Sequence, residues 1–279
     1  MNIREIVNIL TSAGIEETEA NAEVKLLIEK FCGLTAVDII MGKKLDTSKL
    51  NIVRQKAEER ARTRKPIQHI IGYGYFMGEK FEVSKDTLIP RDETEILVRK
   101  SVDIINKNNY KLGLDVGTGT GCIACMVAQL SLAQVIGLDI SSEALQIALN
   151  NASRLNLYNK AIFRKSDIFS NVKDDEKFDI IISNPPYIPL SQKATIQKEV
   201  TFDPDLALYT NDEKGLEFYK KITKDAKKVL KPHGHIAFEI GMGQCEDVKN
   251  LLAKNNFEKI EVEKDLAGIE RVITARIAD

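Results

Sequence analysis

The sequence predicts an α/β protein: a doubly wound, mostly parallel sheet of seven strands behind a small N-terminal helical domain. Three observations carry this. From residue 112 onward, short β-prone apolar runs alternate with helical stretches, the pattern that lays parallel strands beneath crossover helices. The run Phe178-Asp179-Ile180-Ile181-Ile182-Ser183 is apolar on both faces, as a strand in the middle of a parallel sheet must be. Residues 1 to about 64 instead keep the spacing of helices.

Within that first stretch, Ile3, Ile6, Val7 and Leu10 form one helical stripe, and Val24, Leu27, Ile28 and Phe31 another. Gly14 and Gly33 suit helix ends. A short apolar segment, 36–41, stops at Gly42. A last helix over about 48–63 carries Lys49, Arg54, Lys56, Arg60 and Arg62, followed by Arg64 and Lys65. This basic run reads as a solvated face, with docking to an acidic partner or to RNA as the alternative.

Residues 66–90 are a connector in which Tyr75-Phe76-Met77 and Lys80-Phe81-Glu82-Val83 pair as a short hairpin. Ile89-Pro90-Arg91-Asp92-Glu93-Thr94 opens a helix to about residue 106, and acids in its first turn complement the helix dipole. Strands are expected at 112–116, 134–139, 161–166 and 178–183, with helices at 122–130 and 142–155 between them. After a long loop come a helix at about 214–230 stopped before Pro232, a strand at 234–240 and a helix at 245–254. Strands 257–263 and 271–277 close the chain as a hairpin. The expected domains are residues 1–70, a 71–90 linker, and 91–279.

Of 279 residues, 43% are hydrophobic and 29% charged, with a formal net charge of −1. A pI near 6.4 gives no drive toward nucleic acid, for which a domain pI above about 9 is the usual signature. No apolar run approaches the ~18 residues of a membrane span. The opening Met1-Asn2-Ile3-Arg4-Glu5 lacks a signal-peptide core. Cys32, Cys122, Cys125 and Cys245 are too few for a disulfide scaffold, so a reducing cytoplasm is the expected compartment. Cys122 and Cys125 fall in a helix that must pack closely on its strand and read as packing residues. His233 and His235 flank Gly234 at a strand start, and no metal site is expected. The acids Asp203, Asp212 and Glu213 read as surface turn in the long loop.

The chemistry concentrates at Asn184-Pro185-Pro186-Tyr187. Two prolines forbid further ladder bonds, so the buried strand must stop there, at the sheet edge where α/β proteins bind ligands. The Asn184 side-chain oxygen and the Pro185 carbonyl can each accept one N–H of a planar amide or nucleobase amine. Tyr187 can stack on the flat group. Such a grip suits methyl transfer to a weakly nucleophilic nitrogen, where positioning alone can supply about 7–11 kcal/mol of the barrier.

A second site precedes it. Asp115-Val116-Gly117-Thr118-Gly119-Thr120-Gly121 follows a buried strand and opens a helix, the setting in which alternate glycines let backbone approach a nucleotide. Asp139 ends the next strand, placed to accept from ribose hydroxyls. Asp167 is placed to accept from an adenine amine, and Ile168 to pack on the ring. The loop alone serves NAD(P) and S-adenosylmethionine equally. With no His or Lys placed for hydride chemistry, and with the tetrad after the fourth strand, the balance favours S-adenosylmethionine.

These stretches carry a resemblance. Pro66 to Gly72, Leu88 to Glu95, Asp115 to Gly121, Asn184 to Ile188, Glu199 to Pro204 and Ala267 to Val272 together resemble the peptide-chain release factor N5-glutamine methyltransferases, the PrmC/HemK family. The resemblance implies a class I methyltransferase fold behind a helical substrate-recognition domain. It implies N5-methylation of the glutamine in the Gly-Gly-Gln loop of class I peptide-chain release factors. Cofactor contacts fall on Gly117, Thr118, Gly119, Thr120, Gly121, Asp139, Ile168 and Asn184, and substrate contacts on Asn184, Pro185, Pro186 and Tyr187. Asp92 stands where the family usually has Pro, and Ile168 where many members have Trp. A ribosomal-protein glutamine methyltransferase and a nucleic-acid adenine N6-methyltransferase share the tetrad and stay open. A non-catalytic ribosome- or RNA-binding module is the reading from another class. No membrane partner is expected.

Overall fold

The structure is a computed structural model and describes residues 2–278. It forms two compact units, one of residues up to Tyr73 together with Gln197–Phe202, the other of Gly74–Ile196 with the residues from Asp203 onward.

The first unit holds α1 (Ile3–Ser12), α2 (Glu17–Cys32), α3 (Ala36–Ile40), α4 (Thr47–Thr63) and α5 (Ile67–Ile71). Asn2 caps α1 by accepting the Glu5 amide at 2.9 Å, satisfying one of the donors a helix start leaves orphaned. Ile6, Leu10, Val24, Leu27, Ile28, Val53 and Ala57 are fully buried between α1, α2 and α4. The reading of the α4 basic run as a solvated face needs correction at one position. Arg60 is buried, its Nε donating to both Glu23 oxygens at 3.0 and 3.1 Å and its other nitrogens to Glu199 and Glu19 at 3.2 and 3.4 Å. A buried guanidinium must be paired, and these carboxylates pair it. Arg54 and Lys56 do stay at the surface of the helix, bonded along it to Glu58 and Glu59.

The second unit opens with β1 (Tyr73–Phe76) and β2 (Glu79–Glu82), then α6 (Thr94–Asn108) and β3 (Leu112–Val116). It continues with α7 (Cys122–Leu130), β4 (Gln134–Asp139), α8 (Ser142–Arg154), β5 (Ala161–Lys165) and β6 (Phe178–Ser183). The long loop carries β7 (Ile188–Pro189), α9 (Asp205–Leu208) and β8 (Tyr209–Thr210). The unit closes with α10 (Glu217–Val229), β9 (Leu230–Glu239), α11 (Cys245–Lys254), β10 (Phe257–Lys264) and β11 (Glu270–Ile277). Seven strands form one sheet in the order β10-β11-β9-β6-β3-β4-β5. The five from β9 to β5 run parallel, and β11 joins β9 and β10 antiparallel.

All six residues of β6 are buried, and beyond the register shift at its start its side chains alternate between the two core layers from Ile180 to Ile182. Ile180 and Ile182 join the layer under α6 and α7, while Phe178 and Ile181 join the layer under α10 and α11. The chain leaves β3 toward β4 and β5 and returns to β6 on the other side. That reversal opens a crevice at the carboxyl ends of β3 and β6.

Two expected boundaries moved. Strand β9 starts at Leu230 instead of 234, because Leu230 pairs with Phe178 and a register shift before Ile180 absorbs the intervening residues. Helix α10 starts at Glu217 instead of 214, because the Asp212 carboxylate accepts the amides of Leu216 and Glu217 at 2.9 and 3.1 Å and so caps it there. Among the described residues no helix is long and apolar enough to cross a membrane.

Candidate active site

The loop after β3 is held by β4: the amides of Gly117 and Thr118 donate to the Leu138 carbonyl at 2.8 and 2.9 Å. Gly117 and Gly119 have φ of +76° and +53°, and a Cβ at either would meet nothing within 4 Å. A side chain there would be strained by its backbone, and its absence leaves bare peptide on the open side of the loop. The Gly119 amide donates to Asp139 Oδ2 at 2.9 Å and the Ser141 amide to Oδ1 at 2.9 Å. Each carboxylate oxygen keeps further acceptor capacity for a ligand. Burial pushes the Asp139 carboxyl up, against those two amide bonds.

A cleft of about 480 Å³ lies over this loop, inside the roughly 300–1,000 Å³ range of small-molecule sites. Gly117, Gly119, Asp139, Asp167, Ile168, Asn184, Pro185 and Pro186 all line it. Thr118, Thr120, Gly121 and Tyr187 do not. Thr118 Oγ1 turns inward to the buried Asp115 carboxylate at 2.6 Å, and the Thr120 carbonyl accepts Asn151 Nδ2 at 2.9 Å. The Tyr187 ring packs into the core layer under α10 and α11, where burial pushes its phenol up to about 12. The expected stacking surface is therefore absent from the cleft wall. Sequence reasoning missed a further part of the lining, Pro204, Leu206, Ala207, Phe218 and Ile222.

Asp203 also departs from the expected surface turn. Its carboxylate is buried and accepts Arg91 at 2.5 Å and the Ile89 amide at 3.3 Å, tying the loop back to the start of α6.

Behind the tetrad lies a polar layer. The Ser183 hydroxyl donates to the Val116 carbonyl at 2.6 Å, locking the end of β6 to β3. Asn184 Nδ2 donates to Thr94 Oγ1 at 3.2 Å, and Thr94 Oγ1 donates to Glu239 Oε2 at 2.6 Å. Gln244 Nε2 donates to the Tyr187 carbonyl at 3.0 Å while its oxygen accepts the Gly241 amide at 2.9 Å. No peptide bond among the described residues is cis, so the Pro185–Pro186 bond is trans. Glu239 carried a signal in the sequence: a lone acid in Ile236-Ala237-Phe238-Glu239-Ile240, where an unpaired charge would be too costly to bury.

Comparison with known proteins decides the family. A family described as the PrmC N-terminal domain matches residues 3–72, and one described as a methyltransferase domain matches residues 107–269. The chain is 38% identical over 266 residues to the release factor glutamine methyltransferase of Bacteroides thetaiotaomicron, covering 91% of this chain and 92% of that one. It is 39% identical over 240 residues to the namesake from Fusobacterium nucleatum, covering 85% and 67%. The chain belongs to the release factor glutamine methyltransferases. A solved methyltransferase from Pyrococcus furiosus shares the fold of this family member, with a TM-score of 0.54 at 18% identity over 73% of this chain and 91% of that one. The seven-stranded sheet of this glutamine methyltransferase is thus that of the class I enzymes.

Proposed function

We propose that this enzyme transfers the methyl group of S-adenosylmethionine to the side-chain N5 of the glutamine in the Gly-Gly-Gln loop of class I peptide-chain release factors. One observation carries the assignment of the site: Asn184 spends its amide N–H on Thr94, which leaves its carbonyl oxygen free for the cleft.

The cleft suits the donor. Bare peptide at Gly117 and Gly119 lets a nucleoside approach closely, and the Asp139 carboxylate has acceptor capacity for ribose hydroxyls. Ile168 and Asp167 line the adjoining wall, for an adenine ring and its amine. When bound, S-adenosylmethionine supplies an electrophilic methyl carbon on a sulfonium. The chain's own groups bring the glutamine to it. Asn184 Oδ1 and the Pro185 carbonyl accept the two N–H groups of the glutamine amide, fixing its plane and turning the nitrogen lone pair toward the donor. Tyr187 contributes through its backbone, clamped by Gln244. No base is required beforehand, because the methylated amide nitrogen sheds its proton readily. Holding the amide in this way is the source of rate, worth up to about 7–11 kcal/mol when the geometry is right.

The helical domain, 1–70 by sequence, is the proposed release-factor recognition element, and a translation factor as substrate implies action in the cytoplasm. Mass spectrometry of a release factor incubated with this protein and S-adenosylmethionine tests the reading. A single added methyl on the loop glutamine is expected. An unmodified release factor, or methylated DNA in its place, would refute it.

A further inference from the structure

We infer that Thr94 and Glu239 are a positioning pair that decides which end of the Asn184 amide faces the substrate. This rests on the role given to Asn184 above.

The argument is one of proton counting. A carboxylate can only accept, and a threonine hydroxyl has one proton to give. Thr94 gives that proton to Glu239 Oε2 at 2.6 Å. Its oxygen is then left as an acceptor, and Asn184 must meet it with Nδ2, as it does at 3.2 Å. An amide that points its NH2 inward points its carbonyl the other way, into the cleft. Ionised Glu239 thus sets Asn184 as an acceptor, the polarity needed to grip an N–H of a glutamine side chain.

Protonating Glu239 reverses the relay. The carboxyl O–H donates to Thr94 Oγ1, and the Thr94 proton is released to Asn184. The amide turns over so that Oδ1 faces Thr94, and NH2 then faces the substrate NH2, where neither can accept. Glu239 takes up one proton, the Asn184 amide rotates by half a turn, and no covalent bond between heavy atoms forms or breaks.

The surroundings put this reversal within reach of ordinary pH. Glu239 is buried at the end of β9, and burial pushes its carboxyl up to about 7 against the Thr94 bond. Glu93 pushes it further up, while Arg271 and the Asn184 amide, which also bonds to it, draw it down. The other ionisable groups that feel its charge are Tyr187 and Tyr219, whose phenols burial raises, and Cys122, whose thiol burial raises to about 12. All three stay neutral where Glu239 titrates. Asp115, beneath the glycine loop, is also raised to about 7 by burial, so the test must separate the two.

The test is the pH dependence of kcat/KM for release-factor methylation by wild type, Glu239→Gln, Asp115→Asn, Thr94→Ser and Thr94→Val, with kcat and calorimetric affinity for S-adenosylmethionine alongside. Wild-type kcat/KM, which reports ionisations of the free enzyme, is expected to fall about tenfold per pH unit below about 7, as one essential ionisation requires. Glu239→Gln does not titrate, so its profile is flat there, whereas Asp115→Asn keeps the acid limb. Thr94→Val is expected to lose about thirtyfold in kcat with donor affinity within about threefold, and Thr94→Ser to restore most of it. An acid limb unchanged in Glu239→Gln, or Thr94→Val turning over like wild type, overturns the assignment; the Thr94 pair decides if Glu239→Gln does not fold. A wild-type protein that methylates no release factor overturns the function beneath it and this assignment together.

Discussion

The two walls of the cleft are built on different principles. The wall proposed for the methyl donor is backbone: Gly117 and Gly119 present bare peptide, and Asp139 is held by two amides, all within one β-α-β segment. The wall proposed for the glutamine rests on a relay of side chains drawn from distant parts of the chain, running from Asn184 after β6 through Thr94 of α6 to Glu239 of β9, with Gln244 before α11 holding the Tyr187 carbonyl beside it. A backbone site is specified by local turn chemistry and tolerates change around it. A relay is specified by the polarity of each bond, and one wrong donor reverses the rest.

If that contrast is right, damage to one wall should leave the other working. Asn184→Ala is expected to lower turnover at least about 10³-fold, since it removes a hydrogen bond on which positioning depends. Its affinity for S-adenosylmethionine should stay within about tenfold, read by calorimetry. Comparable losses in both measurements would show that the walls are one unit.

Gly215 probes whether backbone matters to the acceptor wall as well. It lies at φ +70°, and a Cβ there would stand 2.0 Å from the Tyr187 carbonyl oxygen and 2.5 Å from Gln244 Nε2. A carbonyl oxygen in the chain cannot swing away as a side-chain end can. Gly215→Ala should therefore cost about 2–4 kcal/mol in denaturant unfolding, combining strain with overpacking. Turnover should fall with donor affinity preserved. A variant as stable as wild type would mean that this clamp yields freely.

On the other wall, Asp139→Ala removes an acceptor from two amides and from the ribose. Charge-assisted hydrogen bonds are worth about 1.5–3 kcal/mol, so donor affinity should fall about 10- to 100-fold. The turnover of whatever complex forms should change much less. That is the mirror image of Asn184→Ala.

The same contrast explains what could be read from the residues alone. The sheet was legible because β6 is buried on both faces and its composition says so. The donor wall was legible because three glycines after a strand and an acid about twenty residues on are a local pattern. Asn184 was legible because two prolines end its strand. Thr94 read as part of a helix start, and nothing nearby in the sequence shows that its hydroxyl is spent on an acid 145 positions away. Arg60 read as solvated because its partners Glu19, Glu23 and Glu199 come from two separate stretches of chain. The Tyr187 ring read as a stacking surface because spacing cannot show which way a side chain leaves a turn.

Ile168 is where the two principles meet, and it gives the smallest effect. It lines the cleft at φ +50°, a left-handed conformation that a β-branched residue adopts only under constraint. The Ser166 hydroxyl holds that turn by donating to the Ile168 carbonyl at 2.8 Å. The strain costs on the order of 1–2 kcal/mol, and the return is an apolar surface facing the cleft. Asn tolerates the left-handed region far better and offers no such surface. Ile168→Asn is therefore expected to stabilise the free protein by about 1 kcal/mol in denaturant unfolding while weakening S-adenosylmethionine binding by a few-fold. A variant that gains stability without losing donor affinity would show that the isoleucine does not touch the nucleoside, and that the donor wall is backbone and carboxylate alone.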